Sequence, residues 1–300
     1  TSDLTYDSHN KLWWSIGDQN AKERPEYYPD RDKKFPHRGR YAYRITLSKG
    51  QPHAEAIPIW WKSKTVFQAV DRTFANVGTQ LIDFEGIAAD PTQPNTFLAC
   101  TEGPQPWLVE MLFQDSPTKP QMQVIRSVQL DQQGIHAHNP ASEAANTNWE
   151  GLAISPDGKE LLLASEWNGA PARIYRLAMA EIRKTNWDGT GAAPQLRPQP
   201  WTTQQIAGAI TGLCFLSEGG RVWLVALERN KPQLVVLDYH APAKPAVIVP
   251  LDLRAPAPNG RPEGVKIKSA SPEGIATDGA GRLLLIGDPA QLPPVGSEHS

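Results

Sequence analysis

The feature that most constrains the fold is a hairpin that occurs five times. "SDLTYDSHNKLWWSIGDQ" from Ser2, "EGIAADPTQPNTFLACTEG" from Glu85, "EGLAISPDGKELLLASEWN" from Glu150, "TGLCFLSEGGRVWLVALER" from Thr211 and "EGIATDGAGRLLLIGDP" from Glu273 share one grammar. Each opens on a small polar or acidic residue followed by Gly or Asp. An apolar strand comes next, then a turn rich in Gly, Pro, Asp and Asn, then a second apolar strand that closes on an acid. The steps between starts are 83, 65, 61 and 62 residues. A fixed period of tens of residues decides architecture before any local assignment.

Between the hairpins lie further strand candidates in pairs: "RYAYRITL" with "EAIPIWW", "WLVEMLFQ" with "MQVIRSVQL", "ARIYRLAM" with "PWTTQQI", and "QLVVLDY" with "AVIVPLDL". Four antiparallel strands per repeat in an all-β chain predict a β-propeller. A sandwich or barrel also has many short strands but does not repeat one hairpin five times. The chain is expected to form one propeller domain over residues 1–300, with five or six blades, because the fifth repeat shows only its first two strands. The longer first step is assigned to an inserted polar and aromatic loop, residues 20–40.

In a propeller the first strand of each blade lines the central channel and the second returns beside it. The hairpin starts (Ser2, Glu85, Glu150, Thr211, Glu273) and ends (Asp18, Glu102, Glu166, Glu228, Asp288) should therefore gather at one face. Eight of these ten are carboxylates. At ~8 Å and an effective dielectric of ~20, each neighbouring pair repels by roughly 2 kcal/mol, so a partner of opposite charge is expected. Many oxygen donors suit a hard cation, and Ca²⁺ accepts six to eight with loose geometry. Glu85, Glu150 and Glu273 are the expected ligands, with the second-strand acids as an outer set or facing substrate. No organic cofactor is implied. The glycines after the starts, Gly86, Gly151, Gly212 and Gly274, fit inner strands that crowd one another near the axis.

Residues 20–40 and the loop before Glu150 share that face. Arg24, Arg31, Arg38 and Arg40 are candidates to grip an anionic substrate, and His136 and His138, with Glu85 and Glu150, are candidates for the chemistry. A net charge of -2 argues against nucleic acid, which selects a basic stripe. No apolar run reaches the roughly 18 residues of a membrane span. Cys100 and Cys214 lie in separate apolar strands and read as buried small hydrophobes. A chain starting at Thr1 rather than Met favours export, to a periplasm or outside the cell.

The stretches "DFEGIAADP", "NWEGLAISPDGKELLLASE" and "SPEGIATDGAGRLLLIGD", with "SDLTYD", resemble the esterase-like phytase family of propeller proteins. That resemblance implies a phosphoesterase or esterase activity and metal dependence, carried here by Glu85, Glu150 and Glu273. Ser2 and Thr211 depart from the pattern, and no G-x-S-x-G nucleophile motif is present. Three functions stay open. One is a calcium-dependent hydrolase of phosphate or carboxylic esters. A second is a non-catalytic, calcium-stabilised propeller that binds a protein or glycan through its loop face. The third is a lactonase-like propeller.

Overall fold

The computed structural model describes residues 3–17, 41–48, 51–75, 82, 84–101, 105–131, 148–166, 172–202, 204, 206, 208–252, 254–255, 265–266 and 272–287. The five hairpins are β1 (Asp3–Asp7) with β2 (Leu12–Ile16), β5 (Phe84–Ala89) with β6 (Thr96–Thr101), β9 (Asn148–Ile154) with β10 (Glu160–Glu166), β14 (Ile210–Glu218) with β15 (Arg221–Glu228), and β20 (Pro272–Thr277) with β21 (Leu283–Gly287). All five are antiparallel. Outer strands complete four of the blades. These are β3 (Tyr41–Ser48) and β4 (Gln51–Trp61), β7 (Trp107–Gln114) and β8 (Gln121–Leu130), β11 (Ile174–Ala178) and β13 (Gln199–Pro200), and β16 (Gln233–Asp238) and β17 (Val247–Pro250). Among the described residues the fifth blade is the β20–β21 hairpin alone.

The inner strands form a closed circuit: β1 packs on β5, β5 on β9, β9 on β14, β14 on β20, and β20 back on β1. Five hydrophobic clusters fill the five seams between blades. The seam between blades one and two is the largest and centres on Trp14, whose ring lies 5.1 Å from Phe97 and 4.7 Å from Phe113. The two seams flanking blade five are the thinnest. Cys214, Val225, Leu227, Leu234 and Ile275 fill one, and Leu4, Trp13, Ile45 and Ala276 the other. Five seams that close on themselves make this a five-bladed β-propeller.

The ring is tight at its axis. A Cβ on Gly86 would stand 2.7 Å from the Glu150 carbonyl oxygen, one on Gly151 2.9 Å from the Gly212 carbonyl carbon, one on Gly212 2.9 Å from the Ile275 nitrogen, and one on Gly274 2.7 Å from the Leu4 nitrogen. Each glycine thus faces the equivalent stretch of the next blade, so the inner strands run parallel and in step around the axis. The fifth place in this circle belongs to Asp3, which pairs with Ile16 as the glycines pair with their own second strands.

Two departures from the repeat are found. Helix α1 (Lys64–Ala75) follows β4 and contributes Val66 and Val70 to the first seam; it lies between blades one and two, outside the predicted insertion. A second, one-and-a-half-turn helix, α2 (Met179–Lys184), follows β11 and sends Arg183 to the buried Asp90 of blade two. Blades one and two are also joined edge to edge. Their outermost strands, β4 and β8, pair in parallel through Ile59–Met122, Trp60–Gln123 and Trp61–Val124. No helix among the described residues is long and apolar enough to cross a membrane.

Candidate functional site

The local device that builds the site is a β-bulge repeated in four blades. Gly86 stands opposite Cys100 and Phe84 opposite Thr101, so the ladder register skips Glu85. The same skip leaves out Glu150 between Trp149 and Gly151, Thr211 between Ile210 and Gly212, and Glu273 between Pro272 and Gly274. A bulge releases one residue from the ladder and re-aims its side chain, and such bulges concentrate beside functional sites. Because the inner strands run in step, all four released residues stand at one mouth of the channel.

These residues have different surroundings. Glu85 and Glu150, on adjacent blades, are 8% and 4% exposed. Both lie close enough to the buried Cys100 for their charges, with that of Asp3, to reinforce what burial already does: the thiol is pushed well above its usual range. Its Sγ lies 3.0 Å from the Trp149 carbonyl oxygen and donates to it. Burial likewise pushes the Cys214 thiol up. Both cysteines are unpaired and buried, as the sequence indicates, and neither is held as the thiolate that nucleophilic chemistry needs.

Blade four breaks the acidic pattern in two ways. Thr211 is buried and its hydroxyl donates to the Pro272 carbonyl oxygen at 2.8 Å, so this bulge serves the seam with blade five. The second strand also departs from the expected alignment by one residue. Glu228 pairs with Ile210 as Thr101 pairs with Phe84 and Ser165 with Trp149. It therefore belongs with residues that anchor the start of the third strand. Thr101 accepts the Trp107 N–H at 2.9 Å, Ser165 accepts the Arg173 N–H at 3.2 Å, and the buried Glu228 accepts from the Gln233 amide. Burial pushes the Glu228 carboxyl upward.

The rim residue of blade four is instead Arg229, whose N–H bonds the Ala209 carbonyl oxygen at 2.9 Å; the corresponding pairing in blade three is Glu166 with Asn148. The Arg229 side chain reaches across to blade five, with Nη1 3.1 Å from one Glu273 oxygen and 3.4 Å from the other. Sequence alone misses Arg229 because "ALER" offers an acid one residue earlier, and only the cross-strand register, with Ile210 opposite Glu228, reveals the offset.

The predicted set therefore divides. Glu85 and Glu150 come together as two neighbouring buried carboxylates, while Glu273 stands at the same mouth but is engaged by Arg229. Among the described residues no group of three or more His, Cys, Asp or Glu side chains is arranged to hold a metal ion. Two carboxylates offer four oxygens at most, short of the six to eight that Ca²⁺ takes from its surroundings, so a full ligand set would draw on further groups. Ser2, Asp18, Glu102, Asp288, His136, His138, Arg24, Arg31, Arg38 and Arg40 lie outside the described residues.

Among solved structures, the major allergen Mala s 1 of Malassezia sympodialis is 11% identical, with a TM-score of 0.44 over 95% of this chain and 85% of that one. The PQQ-bound aldose sugar dehydrogenase of Streptomyces coelicolor is 14% identical, with a TM-score of 0.42 over 95% and 73%. The Cps50 (Swd1) β-propeller domain of Myceliophthora thermophila is 12% identical, with a TM-score of 0.38 over 97% and 81%. Comparison with curated proteins gives no match. A family model, by contrast, spans residues 1–288 and so takes in all five hairpins with their bulged mouth. The chain belongs to the phytase-like family, described as having the esterase-like activity of phytase.

Proposed function

We propose that this propeller is a metal-dependent hydrolase of phosphate or carboxylic esters, working at the bulged mouth of its channel. The observation that carries this proposal is the pair Glu85 and Glu150, released from their ladders at the same position of adjacent blades in a chain of the phytase-like family. Two buried carboxylates side by side repel each other, and a hard cation between them offsets that repulsion. Ca²⁺ held there would supply Lewis acidity and lower the pKa of a bound water. Glu85 and Glu150 then orient that centre, and the low exposure of both limits competing solvent. Arg24, Arg31, Arg38 and Arg40 remain the proposed contacts for an anionic substrate, and His136 and His138 the proposed proton carriers. An exported protein, periplasmic or secreted, is the proposed setting.

A second function has one specific observation in its favour. Thr211 and Arg229 remove blade four from the acidic set, and Arg229 neutralises Glu273, which suits a binding module whose ion is structural. Metal analysis of the purified protein, followed by phosphomonoester, polyphosphate and carboxylic ester panels with and without chelator, separates the two. Turnover that disappears with chelator and in Glu85→Gln supports the hydrolase. Bound Ca²⁺ without turnover on any of these substrates leaves the binding module.

A further inference from the structure

The circle of inner-strand glycines has one exception, and its side chain points into the axis. Asp3 is completely buried. One carboxylate oxygen accepts the N–H of Leu4 at 2.8 Å. The other accepts the N–H of Ile87 at 3.2 Å and that of Leu152 at 3.3 Å. Burial pushes the Asp3 carboxyl well above its usual range, and these N–H groups, with that of Ile275, oppose the rise by favouring the charged form. These donors come from blades one, two, three and five, and each follows the residue that holds the glycine place in its own strand. The four glycines bring the backbones close enough for their N–H groups to converge, and the convergence makes a concave nest of donors of the kind that takes an anion. Buried donors left without an acceptor are destabilising, so an empty nest would weaken the ring.

We propose that the hub of the propeller is a carboxylate-binding site whose resident ligand is the Asp3 side chain, through which the first blade is tied to the second, third and fifth. The site takes a small carboxylate because two oxygens on one planar group divide the donors between them, as Asp3 divides them here. It is distinct from the bulged mouth, since Asp3 occupies the glycine place one residue further along the strand. Glycine at position 3 would complete the five-fold sequence pattern and empty the site, leaving a space matching the excised methylene and carboxylate. Acetate is that fragment.

The test uses the full chain as Asp3→Gly, with Leu224→Ala, a cavity in the blade three–four seam, as a control of comparable destabilisation. Asp3→Gly should melt at least ~5 °C below wild type from its orphaned donors. Acetate at ~100 mM should restore about half of that loss along a saturable curve, as expected for a ligand that binds only the folded state. Sodium chloride at equal ionic strength should not, and acetate should leave wild type and Leu224→Ala unmoved. An unchanged melting temperature in Asp3→Gly, or an acetate response that is absent or shared by all three proteins, overturns the proposal. Should Asp3→Gly fail to accumulate, Asp3→Asn decides the matter. Its NH₂ must face backbone donors in place of one oxygen, so either the Leu4 amide or those of Ile87 and Leu152 should exchange with deuterium at least ~10-fold faster than in wild type, the factor that about 1.4 kcal/mol confers. Exchange at the wild-type rate for all three amides overturns it equally.

Discussion

Arg229 and Glu273 sit on consecutive blades, and one guanidinium nitrogen of the first lies within 3.4 Å of both carboxylate oxygens of the second. Arg229 occupies the rim place that an acid takes in blade three, so the pair sets the charge of half the mouth. The Arg229 side chain is 28% exposed and that of Glu273 12%, a partly screened setting in which an ion pair contributes about 1 kcal/mol or less. Its larger effect is electrostatic. Arg229→Gln removes one positive charge beside Glu273 and so makes the mouth more negative by one, and the rise in melting temperature on adding Ca²⁺ should be greater than in wild type. Calorimetric melts across a Ca²⁺ titration measure this, and a smaller rise would contradict it.

Glu85→Gln and Glu150→Gln keep side-chain volume while removing charge. Each should lower chelator-sensitive ester hydrolysis by ~100-fold or more, the scale of losing a group that positions or activates the attacking water. Each should also reduce the Ca²⁺-dependent rise in melting temperature. Initial rates with melts run in parallel check both, and full activity in either variant would remove that residue from the site.

The axial glycines should be far less tolerant than the turn glycines. Gly151→Ala places a methyl 2.9 Å from backbone of the next blade, where neither neighbour can step aside, and should cost about 1–3 kcal/mol or more through overpacking. Gly279→Ala meets nothing within 4 Å, and only its φ of +74° opposes the change, at roughly 1 kcal/mol. Urea denaturation of the two variants should rank them in that order.

Asp157 in the β9–β10 turn offers a test of local electrostatics. The Ser155 hydroxyl at 2.7 Å and the Lys159 ammonium at 3.0 Å hold its carboxyl down at about 2. A depressed folded value means that the turn's contribution is fully present above the ordinary Asp range and is lost as pH falls through about 2. An NMR titration should place the midpoint there, and Ser155→Ala should move it upward.

Blade five should open first. It is held by the two thinnest seams, and local opening follows the amount of apolar contact that must be broken. Amides of Leu283–Gly287 should therefore exchange with deuterium faster than those of Thr96–Thr101, which are buried throughout.

The hairpins were legible in the sequence because their signals are local: alternating apolar strands, a turn motif, and a glycine where two backbones meet. Three things were not. The offset that separates Glu228 from Arg229 lies in the cross-strand register, where blade four carries an acid at the place that Thr101 and Ser165 hold, and the apolar pattern of the strand does not show it. Asp3 reads as one more acid near a chain start, and only the ring places it among N–H groups as many as 149 positions away. Helix α1 carries Val66, Phe67 and Val70 at helical spacing, but it interrupts a repeat whose period draws attention elsewhere.

The parallel pairing of β4 with β8 gives the ring unequal stiffness. Breaking the seam between blades one and two would require parting a continuous sheet as well as separating side chains, whereas among the described residues no strand pairing bridges the seams around blade five. Any widening of the channel is thus borne on the far side from that weld. Glu85, carried by the welded arc, would keep its station, while Arg229 and Glu273, which straddle the compliant seam, would travel. The mouth is built like a vice with one fixed jaw and one sprung jaw.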